Sequence, residues 1–161
     1  MAKIIDVSTG QVKVARGGAI LRSIAIGSCV AVAAYDPKKK MGALAHIMLP
    51  ESAPKKHLAD RTKYAADAIE EIIRRITRLG GNSDDIEVCL VGGANVLKKK
   101  DDTICKNNIK STIRFLEKKR IPIKAKLLGG TIRRGICLDI ASGSVFYMEG
   151  DGKEKLLYRS D

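Results

Sequence analysis

Two residues in the first third of the chain have the types and spacing to do chemistry together. Cys29 and His46 stand in two apolar runs, Cys29–Tyr35 and Met41–Leu49, joined by Asp36-Pro37-Lys38-Lys39-Lys40. Asp followed by Pro favours a type I turn, so the two runs read as a β-hairpin. If Asp36 faces Met41 across a four-residue loop, antiparallel pairing sets Ala31 opposite His46 and Cys29 opposite Met48. Cys29 and His46 are then diagonal neighbours on one face, with Cβ atoms about 7–8 Å apart or somewhat less, a gap that a thiol and an imidazole can close. A two-residue loop pairs them directly, whereas a three- or five-residue loop turns them to opposite faces, because side chains alternate with period two.

A thiol beside an imidazole is the minimum for cysteine nucleophilic catalysis. The imidazole takes the proton, the thiolate attacks a carbonyl carbon, and the imidazolium protonates the leaving group. Gly27 and Ser28, just before Cys29, allow the backbone to approach a substrate closely, and amides there, including that of Cys29, can point at a developing oxyanion. Ser23, on the preceding run, can orient the imidazole through a hydrogen bond. Each residue also has a purely structural reading. Most cysteines in apolar strands are core filler, most histidines there are satisfied buried polar groups, and a strand serine commonly faces solvent.

The other thiols suggest no second centre. Cys29, Cys89, Cys105 and Cys137 are separated by 60, 16 and 32 residues, no Cys-x-x-Cys pair exists, and only His46 and His57 could assist. That spacing gives a zinc site little support. Cys89, Cys105 and Cys137 lie in apolar contexts and read as structural, while His57, in a polar loop after Pro54, reads as a surface residue.

The elements that must position the pair follow from periodicity. Ile4–Val7, Gln11–Val14 and Ile20–Ile26 read as three early strands, separated by turns at Ser8-Thr9-Gly10 and Gly17-Gly18. Both faces of the hairpin strands are apolar, which calls for a sheet covered on both sides. From Asp60 to Leu79, Ala65, Ala66, Ile69, Ile72, Ile73, Ile76 and Leu79 recur at helical intervals up to Gly80-Gly81. Ile86–Val91 reads as a strand, Ile104–Arg120 as a second helix, and Ile123–Leu128, Ile132–Ile140, Val145–Met148 and Lys155–Tyr158 as further strands. Strands at both ends with two helices between them indicate an α+β fold, a layered, β-sandwich-like sheet core flanked by two main helices.

With 161 residues, 45% of them apolar, the chain suffices for a single domain over residues 1–161. No apolar run approaches the ~18 residues that cross a bilayer, and Met1-Ala2-Lys3-Ile4-Ile5-Asp6 breaks too early for a signal-peptide core. The expectation is a cytoplasmic protein with reduced thiols and no membrane insertion. Thirty Lys and Arg against eighteen Asp and Glu give a net charge of +12, which favours an acidic partner. Four Tyr, two Phe and no Trp, without an RNA-binding or zinc-finger signature, argue against nucleic acid.

At Ser23-Ile24-Ala25-Ile26-Gly27-Ser28-Cys29-Val30, followed by Gly42-Ala43-Leu44-Ala45-His46-Ile47-Met48-Leu49-Pro50, the sequence closely resembles the CheD family of chemoreceptor glutamine deamidases. The resemblance continues through Lys63-Tyr64-Ala65, Val91-Gly92-Gly93-Ala94 and Leu128-Gly129-Gly130. It implies a toxin-type cysteine deamidase fold and a protein-glutamine glutaminase, a cofactor-free hydrolase that converts particular receptor glutamines to glutamate with release of ammonia. Glutamyl methyl ester hydrolysis is a further family activity. The catalytic set it implies is Cys29 as nucleophile, His46 as base and acid, and Ser23 where the family usually has threonine. The implied partners are the cytoplasmic domains of methyl-accepting chemoreceptors and a CheC-type phosphatase. A CheD-like protein that binds and regulates with little turnover is the alternative. Ser23, Ala66, Val96, Leu97, Asn107 and Thr131 depart from the family pattern, five of them away from the dyad, at positions that shape the surface presented to a partner.

Overall fold

The hairpin foreseen between the two apolar runs forms the middle of the molecule. In the computed structural model, which describes residues 2–161, strands β4 (Val30–Asp36) and β5 (Met41–Ile47) pair antiparallel with Asp36 opposite Met41 and Ala31 opposite His46. The four-residue loop is therefore the one adopted. Asp36 fixes it: its buried carboxylate accepts from the Lys38 and Lys39 amides at 3.0 and 3.1 Å and from the Asn82 amide at 2.9 Å. An aspartate that bonds backbone two and three residues ahead closes the turn and sets the register of everything behind it.

Two five-stranded sheets stack on each other. The first runs in the order β1 (Lys3–Asp6), β3 (Ala19–Ile26), β8 (Arg134–Asp139), β9 (Ser144–Glu149) and β10 (Lys155–Arg159). The second runs β2 (Val12–Arg16), β5, β4, β6 (Glu87–Gly92) and β7 (Ile123–Leu128). Pairing is antiparallel except for β1 with β3 and β6 with β7. Helices α1 (Ala65–Arg78) and α2 (Thr103–Lys118) both cover the outer face of the second sheet.

Alternation along the hairpin explains why all its residues are buried. Val30, Val32, Ala34, Ala43, Ala45 and Ile47 turn toward the helices, where Ile69, Ile72 and Ile76 of α1 meet them. Ala31, Ala33, Tyr35 and Leu44 turn the other way, onto Leu21, Ile136 and Leu138 of the first sheet. His46, two residues after Leu44, shares this inter-sheet face, and Cys29 packs against the same cluster. Gly42 lets the sheets close up: a Cβ there would stand 2.6 Å from the Ala34 carbonyl oxygen and 2.9 Å from Leu138 Cδ2.

The periodicity from Asp60 overstates the first helix. Residues Lys55–Lys63 wind as 3-10 turns with none buried, Tyr64 is extended (φ −97°, ψ 141°), and the α-helix begins at Ala65. The polar run Lys55–Lys63 has no apolar face to reward an α-helix, and Tyr64 bridges to Leu49 instead. The second helix and the later strands match the sequence expectation to within a few residues.

Buried Glu71 fastens α1 to this sandwich. It accepts from Arg61 (3.2 Å), Arg74 (3.0 Å) and Arg75 (2.6 Å), and Arg75 donates onward to the Val12 carbonyl of β2. Burial pushes the carboxyl up, but the bonds and charges of Arg74 and Arg75 outweigh it and bring its pKa from 4.5 down to about 2. A carboxyl depressed in the folded state stabilises the protein above its unfolded pKa and loses that contribution as pH falls through the folded one. Glu71→Gln is therefore expected to flatten the loss of stability between pH 4.5 and about 2, read from urea unfolding midpoints across that window.

Candidate active site

Ser23 and His46 come together across the two sheets. Ser23 Oγ lies 2.8 Å from His46 Nδ1 and donates its proton to the Val7 carbonyl oxygen at 2.7 Å. A hydroxyl has one proton, so with Val7 taking it the Ser23 oxygen must accept, and His46 Nδ1 carries the hydrogen. The neutral imidazole then has its lone pair on Nε2. That atom is buried and has no hydrogen-bond partner among the described residues. Two bonds fix the Ser23 hydroxyl, so the methyl of a threonine is not needed to hold its rotamer.

The backbone around Ser23 is shaped for this. Ser23 pairs with Ile136 and Ile26 with Arg134, so Ile24 and Ala25 oppose Gly135 alone, a β-bulge with Ala25 at φ 57°. A non-glycine residue in the left-handed region costs about 1–2 kcal/mol. In exchange the bulge resets the alternation: Ser23 and Ile26 both face inward while Ile24 stands exposed.

Every carbonyl of the Gly27-Ser28-Cys29 segment is tied to the protein. Gly27 O accepts from the Ala94 amide at 2.8 Å, Cys29 O from the Gly93 amide at 2.7 Å, and Ser28 O from Asn108 Nδ2 at 2.9 Å. The amides of Gly27, Ser28 and Cys29 donate to no other backbone carbonyl among the described residues. A segment with its acceptors spent and its donors free is suited to receive an anionic oxygen. Gly92 makes the close approach possible: at φ 134°, a Cβ there would fall 2.2 Å from the Cys29 carbonyl oxygen.

Cys29 is half-buried at the end of the hairpin, two register positions from His46 on the same face. Burial pushes its thiol up, opposed in part by its own backbone N–H, and burial pushes the His46 imidazolium down, opposed in part by the Val7 carbonyl. Both directions favour the uncharged pair, a thiol and a neutral imidazole. With Nε2 unpartnered, no Cys29–His46 hydrogen bond exists in this state. Catalytic hydrogen bonds often tighten only when substrate is bound.

Two hollows lie near the pair, one beside the Gly27-Ser28 segment and one beside His46. One of about 230 Å³ is lined by Gly27, Ser28, Asn95, Val96, Leu97 and Ile104, and one of about 310 Å³ by Ser8, Thr9, Arg22, Ile24, Ala25 and His46. Cys89, Cys105 and Cys137 are buried, and Cys89 and Cys137 are pushed up to about 12, burial being the largest cause. His57 is exposed. No cluster of metal-ligating side chains occurs among the described residues. Sequence reasoning missed Asn108 as a contact of this loop. Its polarity on a buried helix face was the available signal.

A family profile described as "CheD chemotactic sensory transduction" matches residues 48–149. The chain belongs to the CheD family. The match begins two residues after His46 and does not include Cys29. Relatives align over nearly the whole chain. A probable chemoreceptor glutamine deamidase CheD of Chlorobium luteolum is 35% identical over 93% of this chain and 75% of its own length. A probable CheD of Methanococcus maripaludis is 36% identical over 91% and 96%, and the chemoreceptor glutamine deamidase CheD of Thermotoga maritima 30% over 97% and 97%. Among solved structures, Bacillus licheniformis hypothetical protein YfiH aligns with 74% of this CheD-family chain and 49% of its own, at 16% identity and a TM-score of 0.46.

The uncharged resting pair has a measurable signature. Alkylation of Cys29 by iodoacetamide is expected to accelerate with pH up to and beyond 9, the ordinary value that burial exceeds, since only the thiolate reacts. A rate plateau reached below pH 7 would instead reveal a standing thiolate–imidazolium pair.

Proposed function

We propose that this chain is a chemoreceptor glutamine deamidase, an amidohydrolase in which Cys29 is the nucleophile, His46 the base and acid, and Ser23 the group that orients the imidazole. The observation that carries the reading is the orphaned His46 Nε2. Its partner nitrogen is held by Ser23, and it lies on the face that Cys29 shares. A buried polar atom without a partner is a cost in a folded protein unless something arrives to use it.

The chemistry balances with the residues present. Nε2 takes the Cys29 proton as the thiolate attacks the carboxamide carbon of a glutamine. The resulting oxyanion is received by the free amides of Ser28 and Cys29. The imidazolium then gives its proton to the nitrogen, and ammonia leaves a γ-glutamyl thioester. Water, deprotonated by the same Nε2, attacks the thioester carbon, and the thiolate departs and is reprotonated, leaving glutamate. A glutamyl methyl ester would follow the same course with methanol as the leaving group. None of these steps calls for a metal or an organic cofactor.

In this reading residues 1–161 form one deamidase domain acting in the cytoplasm on the cytoplasmic part of a chemoreceptor. No helix among the described residues is long and apolar enough to cross a membrane, which accords with that setting. The charge of +12 would speed encounter with an acidic receptor surface. A CheC-type phosphatase is proposed as a second partner on the family resemblance.

The test is peptide mass spectrometry of a chemoreceptor cytoplasmic domain from the same organism after incubation with this protein. Specific glutamines are expected to gain about 1 Da with the wild type and not with Cys29→Ala or His46→Ala, as loss of the nucleophile or its base requires. Receptor binding by folded wild type without any gain would favour a purely regulatory protein.

A further inference from the structure

We propose that Asn108 is a positioning residue that holds the Cys29 amide in the orientation needed to receive the oxyanion. The inference rests on the deamidase reading and adds a residue to it. Asn108 sits on α2, fully buried, with Nδ2 donating to the Ser28 carbonyl at 2.9 Å and to the Met48 carbonyl at 3.1 Å. Both partners can only accept, so the amide has one permissible orientation and both its protons are spent.

The Ser28 carbonyl and the Cys29 N–H belong to one planar trans peptide and point opposite ways. Drawing the carbonyl toward α2 therefore turns the Cys29 N–H away from α2. It donates to no backbone carbonyl among the described residues and is left open to an incoming acceptor. The planes on either side are held by backbone amides, Ala94 for Gly27 and Gly93 for Cys29, which no side-chain substitution removes. The Ser28–Cys29 plane is the one whose anchor is a side chain.

The second bond extends the effect. Met48 follows His46 by two residues, so one carboxamide spans from the segment that carries the thiol to the strand end that carries the imidazole. Asn108 Oδ1 has no partner among the described residues, and asparagine is a poor helix former. A buried helix position with these disadvantages is explained by the two protons it supplies.

Asn108→Ala is compared with wild type and with Ser111→Ala, a buried neighbour on α2 whose hydroxyl accepts instead from the Glu51 amide. Three quantities are read: kcat and KM for deamidation of the receptor cytoplasmic domain, the rate of Cys29 alkylation by iodoacetamide, and the thermal midpoint. Loss of one oxyanion donor lowers kcat on the order of 100-fold. The expected result for Asn108→Ala is a fall of that size with KM near wild type. Alkylation, which displaces iodide at a saturated carbon and forms no oxyanion, is expected to stay within about twofold. Ser111→Ala is expected to keep kcat even where its midpoint falls. Should Asn108→Ala fail to fold, Asn108→Ser retains one donor and the same split between kcat and alkylation is expected. A kcat within about threefold of wild type, or alkylation falling in step with kcat, overturns the proposal. A wild type that leaves every receptor glutamine unchanged overturns the deamidase reading and this inference with it.

Discussion

Everything at the site depends on the pairing register of one hairpin. A strand's side chains alternate between two faces, so a slip of one residue between β4 and β5 would send His46 toward the helices and bring Ile47 between the sheets. The Asp36 carboxylate prevents the slip by closing the turn on the Lys38 and Lys39 amides and reaching to Asn82, beyond the end of α1. Because both hairpin faces are buried, a wrong register would also exchange two different sets of packing partners. Hydrophobic burial and turn chemistry thus enforce the same geometry.

Around that hairpin, each neighbouring element contributes one constraint to the pair. The bulge in β3 delivers Ser23, the glycines at the end of β6 let backbone amides reach the Gly27-Ser28-Cys29 segment, and α2 inserts Asn108 from the far side. The inter-sheet layer therefore holds the imidazole and its orienting hydroxyl, while the helix layer holds the peptide that precedes the thiol. Polar groups buried in these places cost stability individually. The Ser23 hydroxyl has both its partners, whereas His46 Nε2 and Asn108 Oδ1 have none among the described residues.

Much of this was legible in the residues. The Asp36-Pro37 turn between two apolar runs gave the hairpin but left its loop parity open, which the pairing of Asp36 with Met41 decides, and the three- and four-residue spacing from Ala65 gave α1. The start of that helix was not legible, because the polar residues from Asp60 to Lys63 carry neither an apolar period nor a helix breaker, whereas pairing of Tyr64 with Leu49 decides where winding begins. The bulge at Ile24-Ala25 was equally hidden: no glycine marks it, and Ala25 adopts a left-handed conformation that tertiary packing imposes. Asn108 lies 80 positions from Ser28, and a contact of that separation leaves no local pattern in a sequence.

The half-burial of Cys29 has a consequence for survival of the protein under oxidative conditions. Peroxide converts thiolates to sulfenic acids far more readily than it does thiols, and exposure governs access to the sulfur. A thiol that burial pushes up, beside a histidine that burial keeps neutral, presents little thiolate to such oxidants. Cys89 and Cys137, buried and pushed up to about 12, present still less. A chain with four free cysteines can thus stay chemically quiet toward peroxide while none of them is held as a thiolate.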